Sequence, residues 1–211
     1  MSTHPLTYAE LHAHSAFTFL DGADQPGDLV AQARALDLEA LAILDVDGMH
    51  SAIQTATAAR SSGLPMVFGA ELTLARGQFG EDPATPGWGL VAGAEDPGIR
   101  LPVLATSPAG YHDLCRAMSA HALARPGQRS AAHLLEELGQ GGHEDWLVLS
   151  GTRRGPLRRA LSSGGRSAAR EVLTLLTDRF GTERVAVESA LAPHDPPPQA
   201  ASQAAQARDP H

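Results

Sequence analysis

Short apolar runs and longer stretches of helical periodicity take turns along this chain, and that alternation limits the folds open to it. Candidate strands are Tyr8–His12, Leu41–Asp45, Met66–Leu74, Leu101–Ala105, Leu147–Ser150 and Val185–Glu188. Between them lie Pro26–Leu36, Ser51–Ser61, Pro108–Ala122, Ala131–Leu138 and Ser167–Phe180, whose apolar residues recur at helical spacing. In the first of these, Leu29, Val30, Ala33 and Leu36 share one face. Two helices begin at or just after Pro, where a missing N–H costs nothing. Strand–helix alternation repeated this often predicts an α/β fold with parallel strands and crossover helices. Periodicity alone leaves open whether the sheet is doubly wound or closes as a barrel.

Two segments break the pattern. Residues 76–98 are rich in Gly, Pro and acidic side chains and read as a surface insertion. From Leu191 onward, three consecutive prolines precede Ala/Gln repeats, and this tail, 191–211, is expected to be disordered. The folded domain is therefore expected over residues 1–190.

With 211 residues the chain can build one substantial core. Aromatics are only 4%, so that core must come mainly from Leu, Val, Ala and Ile. All 16 basic residues are Arg, which excludes Lys Schiff-base chemistry and a Lys-dependent phosphate loop. A net charge of −8 opposes binding to nucleic acid backbones by the chain as a whole. A local basic patch could come from Arg153, Arg154, Arg158 and Arg159; the plainer reading of that run is a solvated loop and helix start. Cys115, the sole cysteine, excludes an intramolecular disulfide and a Cys-based zinc site. The start of the chain lacks the basic and apolar regions of a signal peptide. No apolar stretch approaches the roughly 20 residues that span a bilayer. The expected location is cytoplasmic, without membrane contact.

The strongest chemical signal is His12-Ala13-His14-Ser15 at the end of the first strand. Residues two apart in an extended segment point the same way, so two imidazoles could grip one metal ion, and imidazole suits zinc, manganese or iron. Asp21 follows on a Leu-Asp-Gly turn, Asp45 and Asp47 end the second strand, and Glu71 lies in the third. Each carboxylate alone reads as a turn residue or cap. Together, at the carboxyl ends of successive parallel strands, they would gather with the histidines around one mouth. His112, His121 and His133 fall in helical patterns and read as surface residues; His50, near the mouth, is a substitute ligand at most.

These residues carry a resemblance. YAELHAHSAFTFLDGA, LEALAILDVDGMHSAIQTATAA and GLPMVFGAELTL are similar to the opening of the C-family bacterial DNA polymerases, a PHP (polymerase and histidinol phosphatase) domain. LPVLATSPAGYHDLCRAMSAHAL resembles that family's strand and Gly-Tyr helix, and LVLSGTRRGPLRRAL resembles a segment of its error-prone branch. The resemblance covers about residues 8–190. It implies a distorted (β/α)7 barrel of the TIM-like kind, with metal ligands at the carboxyl ends of the strands. The family's ligand positions fall on His12, His14, Asp21 and Glu71, with His194 near the place of another.

The departures bear on function. The family's Thr-Asp-His-Asp reads Leu44-Asp45-Val46-Asp47 here, putting Val46 at a ligand position. Arg100 stands where a His is expected, and a guanidinium cannot coordinate a metal. We expect Arg100 to pair with Glu71, Asp21 or Asp45 across the mouth. The family's last motif would lie beyond His211, so the barrel is expected to be incomplete, open at two edges, and the chain a truncated or frame-shifted product. The resemblance thus implies the N-terminal PHP domain of an error-prone DNA polymerase, serving DNA replication, translesion synthesis and repair. Here it would be structural and inactive by itself, with a degenerate metal site. It implies polymerase core domains as partners, DNA bound through the full enzyme, and magnesium in the full polymerase. No cofactor is expected in this chain unless the remnant site holds zinc or manganese. The alternative is a metal-dependent phosphoesterase or 3′–5′ exonuclease.

Overall fold

The computed structural model of the chain describes residues 8–75, 77–79, 98–124, 133–138 and 143–189. Six strands form one sheet in chain order: β1 (Ala9–Ala13), β2 (Ala40–Ile43), β3 (Met66–Leu74), β4 (Ile99–Ala105), β5 (Trp146–Leu149) and β6 (Val185–Ala186). The helices are α1 (Pro26–Ala35), α2 (Ala52–Ser62), α3 (Pro108–Ala124), α4 (Leu135–Leu138) and α5 (Pro156–Phe180). The sheet curls into a half-barrel. The α/β class expected from the alternation is present, with six strands rather than seven among the described residues. Most of the expected insertion and all of the expected tail lie outside those residues.

The strands are not all parallel. β1, β2 and β3 run together, β4 runs against both β3 and β5, and β5 and β6 are parallel again. The reason lies in the link from β3 to β4. A parallel return needs a crossover, usually a helix, to carry the chain back to the other end. The sequence from Ala75 to Gly98 has no helical periodicity, and β4 starts beside the end at which β3 stopped, pairing Leu74 with Ile99. The start of β4 therefore joins the carboxyl ends of the other five strands at a common mouth.

Alternation along the strands separates two faces. Outward, Leu41 and Ile43 pack with Val30 and Ala33 of α1 and Ala59 of α2. Leu72, Leu74, Ile99, Leu101 and Val103 pack with Leu114 of α3 and with Val172, Leu176 and Phe180 of α5. Trp146 is buried there too, and its indole N–H donates to the Gly110 carbonyl at 2.9 Å. Burying each such large apolar side chain is worth ~1.5–3 kcal/mol. Inward, Ala42, Leu44, Leu104 and Leu149 form a smaller core. Gly69 is required at that face, because a Cβ would lie 2.2 Å from the Val103 carbonyl oxygen and 2.6 Å from Leu44 Cδ2.

Local signals set the helix boundaries. α1 and α5 start with Pro, and α2 stops at Gly63, whose φ of 69° is left-handed. α5 begins at Pro156, well before the start expected at Ser167, and kinks at Gly165 (φ 68°). Gly164 and Gly165 interrupt its apolar pattern and hide the first half from a periodicity search. His121 and His133 were expected at the surface. Both are buried, with rings stacked 3.9 Å apart, and His133 lies in a bridge to Leu74 rather than in a helix.

Candidate metal centre

β1 carries His12 and is followed by His14. Two residues apart in extended chain, both imidazoles face inward, with rings edge to face and centroids 5.2 Å apart. Opposite them Glu71 of β3 is buried. Its Oε1 lies 3.3 Å from His12 Nε2, and its Oε2 lies 3.2 Å from His14 Nε2. One ligand atom from each of the three can be chosen so that all lie within 4.8 Å of one another. Both Nε2 atoms are buried and make no hydrogen bond of proper geometry among the described residues. Two unsatisfied imidazole nitrogens converging on one carboxylate are a donor set that fits a metal ion.

The electrostatics follow from these contacts. Burial by itself would lower the His12 pKa, but the carboxylates of Glu188 and Glu71 raise it to about 9. Burial would raise the Glu71 pKa, but His12 and His14 bring it down to about 2. Without a metal, His12 is an imidazolium at neutral pH and Glu71 a carboxylate.

Among the described residues, none of the other expected positions adds a ligand atom to this cluster. Asp21 pairs with Arg154 at 2.7 Å, tying the loop after β1 to the loop before α5. Asp45 is 1% exposed. Its Oδ1 accepts from the Ser15 amide at 3.1 Å, the Ser15 hydroxyl at 2.8 Å and the Thr18 hydroxyl at 2.8 Å. Burial works to raise the Asp45 pKa, and hydrogen bonds from Ser51, Ser15 and Thr18 overcome it, so the pKa is lowered. Asp47 accepts from the Thr73 amide at 2.7 Å and the Thr73 hydroxyl at 2.6 Å. Val46 forms a parallel bridge with Glu71, placing an aliphatic side chain beside the cluster. His50 is exposed beside Phe17 and outside the cluster. His194 lies outside the described residues. In the basic run, Arg154 is neutralised by Asp21, while Arg153 and Arg158 are exposed and Arg159 is half-buried.

Arg100 corrects an expectation. It sits opposite Thr73, so it shares the inner face with Glu71. Its guanidinium pairs with none of Glu71, Asp21 or Asp45, because His12, His14, Arg154, Ser15 and Thr18 already engage those carboxylates. Arg100 is 8% exposed, and its Nε and Nη1 are buried with no hydrogen-bond partner among the described residues.

Sequence reasoning missed the role of Glu188. Its Oε1 accepts from His12 Nδ1 at 2.7 Å. Its amide donates to Ser150 Oγ, just past the end of β5, at 2.9 Å. The signal was present: a carboxylate at the end of the last candidate strand, where the other strands deliver theirs.

The mouth is distinct from a large apolar groove among the described residues. That groove, of about 740 Å³, is lined by Leu11, Met66, Phe68, Leu104, Tyr111 and Leu147 among others. The starts of β3 and β5 and the end of β4 place it at the opposite end of the sheet.

Comparison with known proteins identifies the family of the chain. Residues 10–190 match the family model of the PHP domain. An error-prone DNA polymerase of Mycolicibacterium paratuberculosis is 43% identical over 181 residues, covering 86% of this chain and 16% of that protein. One from Mycobacterium tuberculosis is 41% identical over 183 residues, covering 87% and 16%. One from Nocardia farcinica is 38% identical over 214 residues, covering 86% and 18%. The chain thus spans about a sixth of the length of these curated relatives. Among solved structures, a Bifidobacterium adolescentis protein described as a metal-dependent phosphoesterase aligns with a TM-score of 0.39 and 20% identity, covering 81% of this chain and 55% of that one. With the family model spanning nearly all the described residues, the chain belongs to the PHP domain family, in a form homologous to part of the error-prone DNA polymerases.

Proposed function

We propose that this chain is the N-terminal PHP module of an error-prone DNA polymerase, a packing domain that keeps a reduced metal site. The observation that carries the reading is its 43% identity to such a polymerase over 86% of this chain, against only 16% of the relative. Its partners would be the polymerase core domains. DNA and catalytic magnesium would be bound there, in the cytoplasm, since a net charge of −8 disfavours direct DNA contact by this chain. No described helix is long and apolar enough to cross a membrane.

The reduced site rests on the donor set. His12, His14 and Glu71 supply three ligands for one zinc or manganese ion. Asp45 and Asp21 are held by Ser15, Thr18 and Arg154, and Val46 and Arg100 offer no ligand atom. A bound ion would polarise a phosphoryl oxygen or water. The described residues around it lack the further ligands that a multi-metal phosphoesterase site requires.

The test has two parts. The described domain is grafted in place of the matching segment of the Mycobacterium tuberculosis relative, and primer extension is measured. The isolated chain, loaded with zinc or manganese, is assayed on a phosphate monoester and on single-stranded DNA ends. The reading expects an active chimera and no hydrolysis by the chain. A folded but inactive chimera, or metal-dependent hydrolysis abolished by His12→Ala, overturns it in favour of a phosphoesterase.

A further inference from the structure

β1 and β6 are the two edges of the sheet. Each has a single strand neighbour among the described residues, β2 for one and β5 for the other. Nevertheless the curl brings their mouth ends together, so that His12 Nδ1 and Glu188 Oε1 are 2.7 Å apart. The contact is shielded, with side-chain exposures of 6% for His12 and 15% for Glu188. Glu188 is itself held from behind by the hydrogen bond from its amide to Ser150 Oγ. The other His12 nitrogen, Nε2, faces Glu71 Oε1 at 3.3 Å, on the side where His14 and Glu71 converge.

We infer that Glu188 is a positioning residue for the metal centre: it holds the proton of His12 on Nδ1, fixes the ring plane, and so presents Nε2 as the ligand. The inference rests on the reading of His12, His14 and Glu71 as a metal site. An imidazole can bind a metal through either nitrogen, and a carboxylate on one of them decides which is left and makes it more basic. Glu188 also gives the centre its dependence on the fold. The carboxylate arrives from the last strand and the imidazole from the first, so the ligand is oriented only when the sheet has curled fully.

The experiment compares zinc affinity, measured by chelator competition, with the His12 ring resonances of histidine-labelled chain. It uses wild type, Glu188→Gln and Glu188→Ala. In metal-free wild type, the His12 Nδ1 proton should be shifted downfield and slow to exchange; Glu188→Ala should lose that signal. Zinc affinity should fall by about 10- to 100-fold in Glu188→Ala. It should fall less in Glu188→Gln, whose amide oxygen can still accept from Nδ1. Circular dichroism identifies any variant that fails to fold, and Glu188→Gln keeps the comparison available in that case. A merely structural Glu188 would shift melting without moving the His12 signal or the affinity. Zinc binding at wild-type strength in both variants overturns the inference and leaves the metal reading standing. Absence of zinc binding in wild type overturns the metal reading itself, and the inference with it.

Discussion

His12 and Glu188 stand 176 positions apart in the chain, yet their side chains meet at 2.7 Å and join the first and last strands of the sheet. The same imidazole reaches Glu71 on its other side at 3.3 Å. One charged cluster therefore links β1, β3 and the end of β6, and its protonation should show in the stability of the fold.

The direction follows from the two shifts. Glu71 is lowered to about 2 from an ordinary value of 4.5, so its stabilisation is complete above 4.5 and is lost as pH falls toward 2. His12 is raised to about 9 from 6.5, so its stabilisation is complete below 6.5 and is lost as pH rises toward 9. Metal-free chain should thus melt highest between about pH 4.5 and 6.5. A melting temperature that stays flat from pH 6.5 to 9, or rises, would contradict the charged cluster.

Metal uptake should run the other way with pH. A ligand imidazole must be free of its Nε2 proton, and His12 holds two protons up to about pH 9. Zinc affinity should climb between about pH 6.5 and 8.5 with about one proton released per ion bound. Calorimetry in buffers of differing ionisation enthalpy counts that proton directly. Uptake with no proton release would mean that His12 is not a ligand.

How much of this was legible beforehand varies with the physics involved. The alternation placed β3 at its true limits, Met66–Leu74, and the spacing of His12 and His14 put two imidazoles on one face. Glu71 was visible as a carboxylate in a strand ending at the same mouth. The reversal of β4 was hidden, because alternation records which residues are buried and not which way a strand runs. The loss of Asp45 as a free ligand was hidden too. It depends on Ser15 and Thr18, whose loop folds back over the second strand, a contact that no local pattern encodes. Arg100 was identified as a departure, but its partner was misjudged, since each carboxylate expected to receive it is engaged by another group.

Asp45 is predicted to be structural. Its carboxylate satisfies the Ser15 amide and the Ser15 and Thr18 hydroxyls in a fully buried place. Asp45→Ala should leave those donors without a partner, at about 1–3 kcal/mol. For a domain of this size that corresponds to a melting drop of about 2–4 °C per kcal/mol. Zinc affinity should change little, because His12, His14 and Glu71 are untouched. A variant of normal stability with lost zinc binding would instead return Asp45 to the ligand set.

Arg100 offers the sharpest reversal of ordinary expectation. Replacing a buried charged residue usually destabilises, because the partner left behind becomes an uncompensated charge. Arg100 has no such partner among the described residues: its Nε and Nη1 are buried and unbonded, and the carboxylates expected to meet it are engaged elsewhere. Arg100→Met keeps most of the aliphatic volume on the inner face and removes only the unpaired charge. The isolated chain should therefore become more stable, by about 1–3 kcal/mol, as when buried ionic groups are exchanged for apolar ones of similar size. Urea titration at fixed pH measures this from the shift in midpoint at unchanged slope. A loss of stability would show that the guanidinium is held in solution by a group it does not touch here.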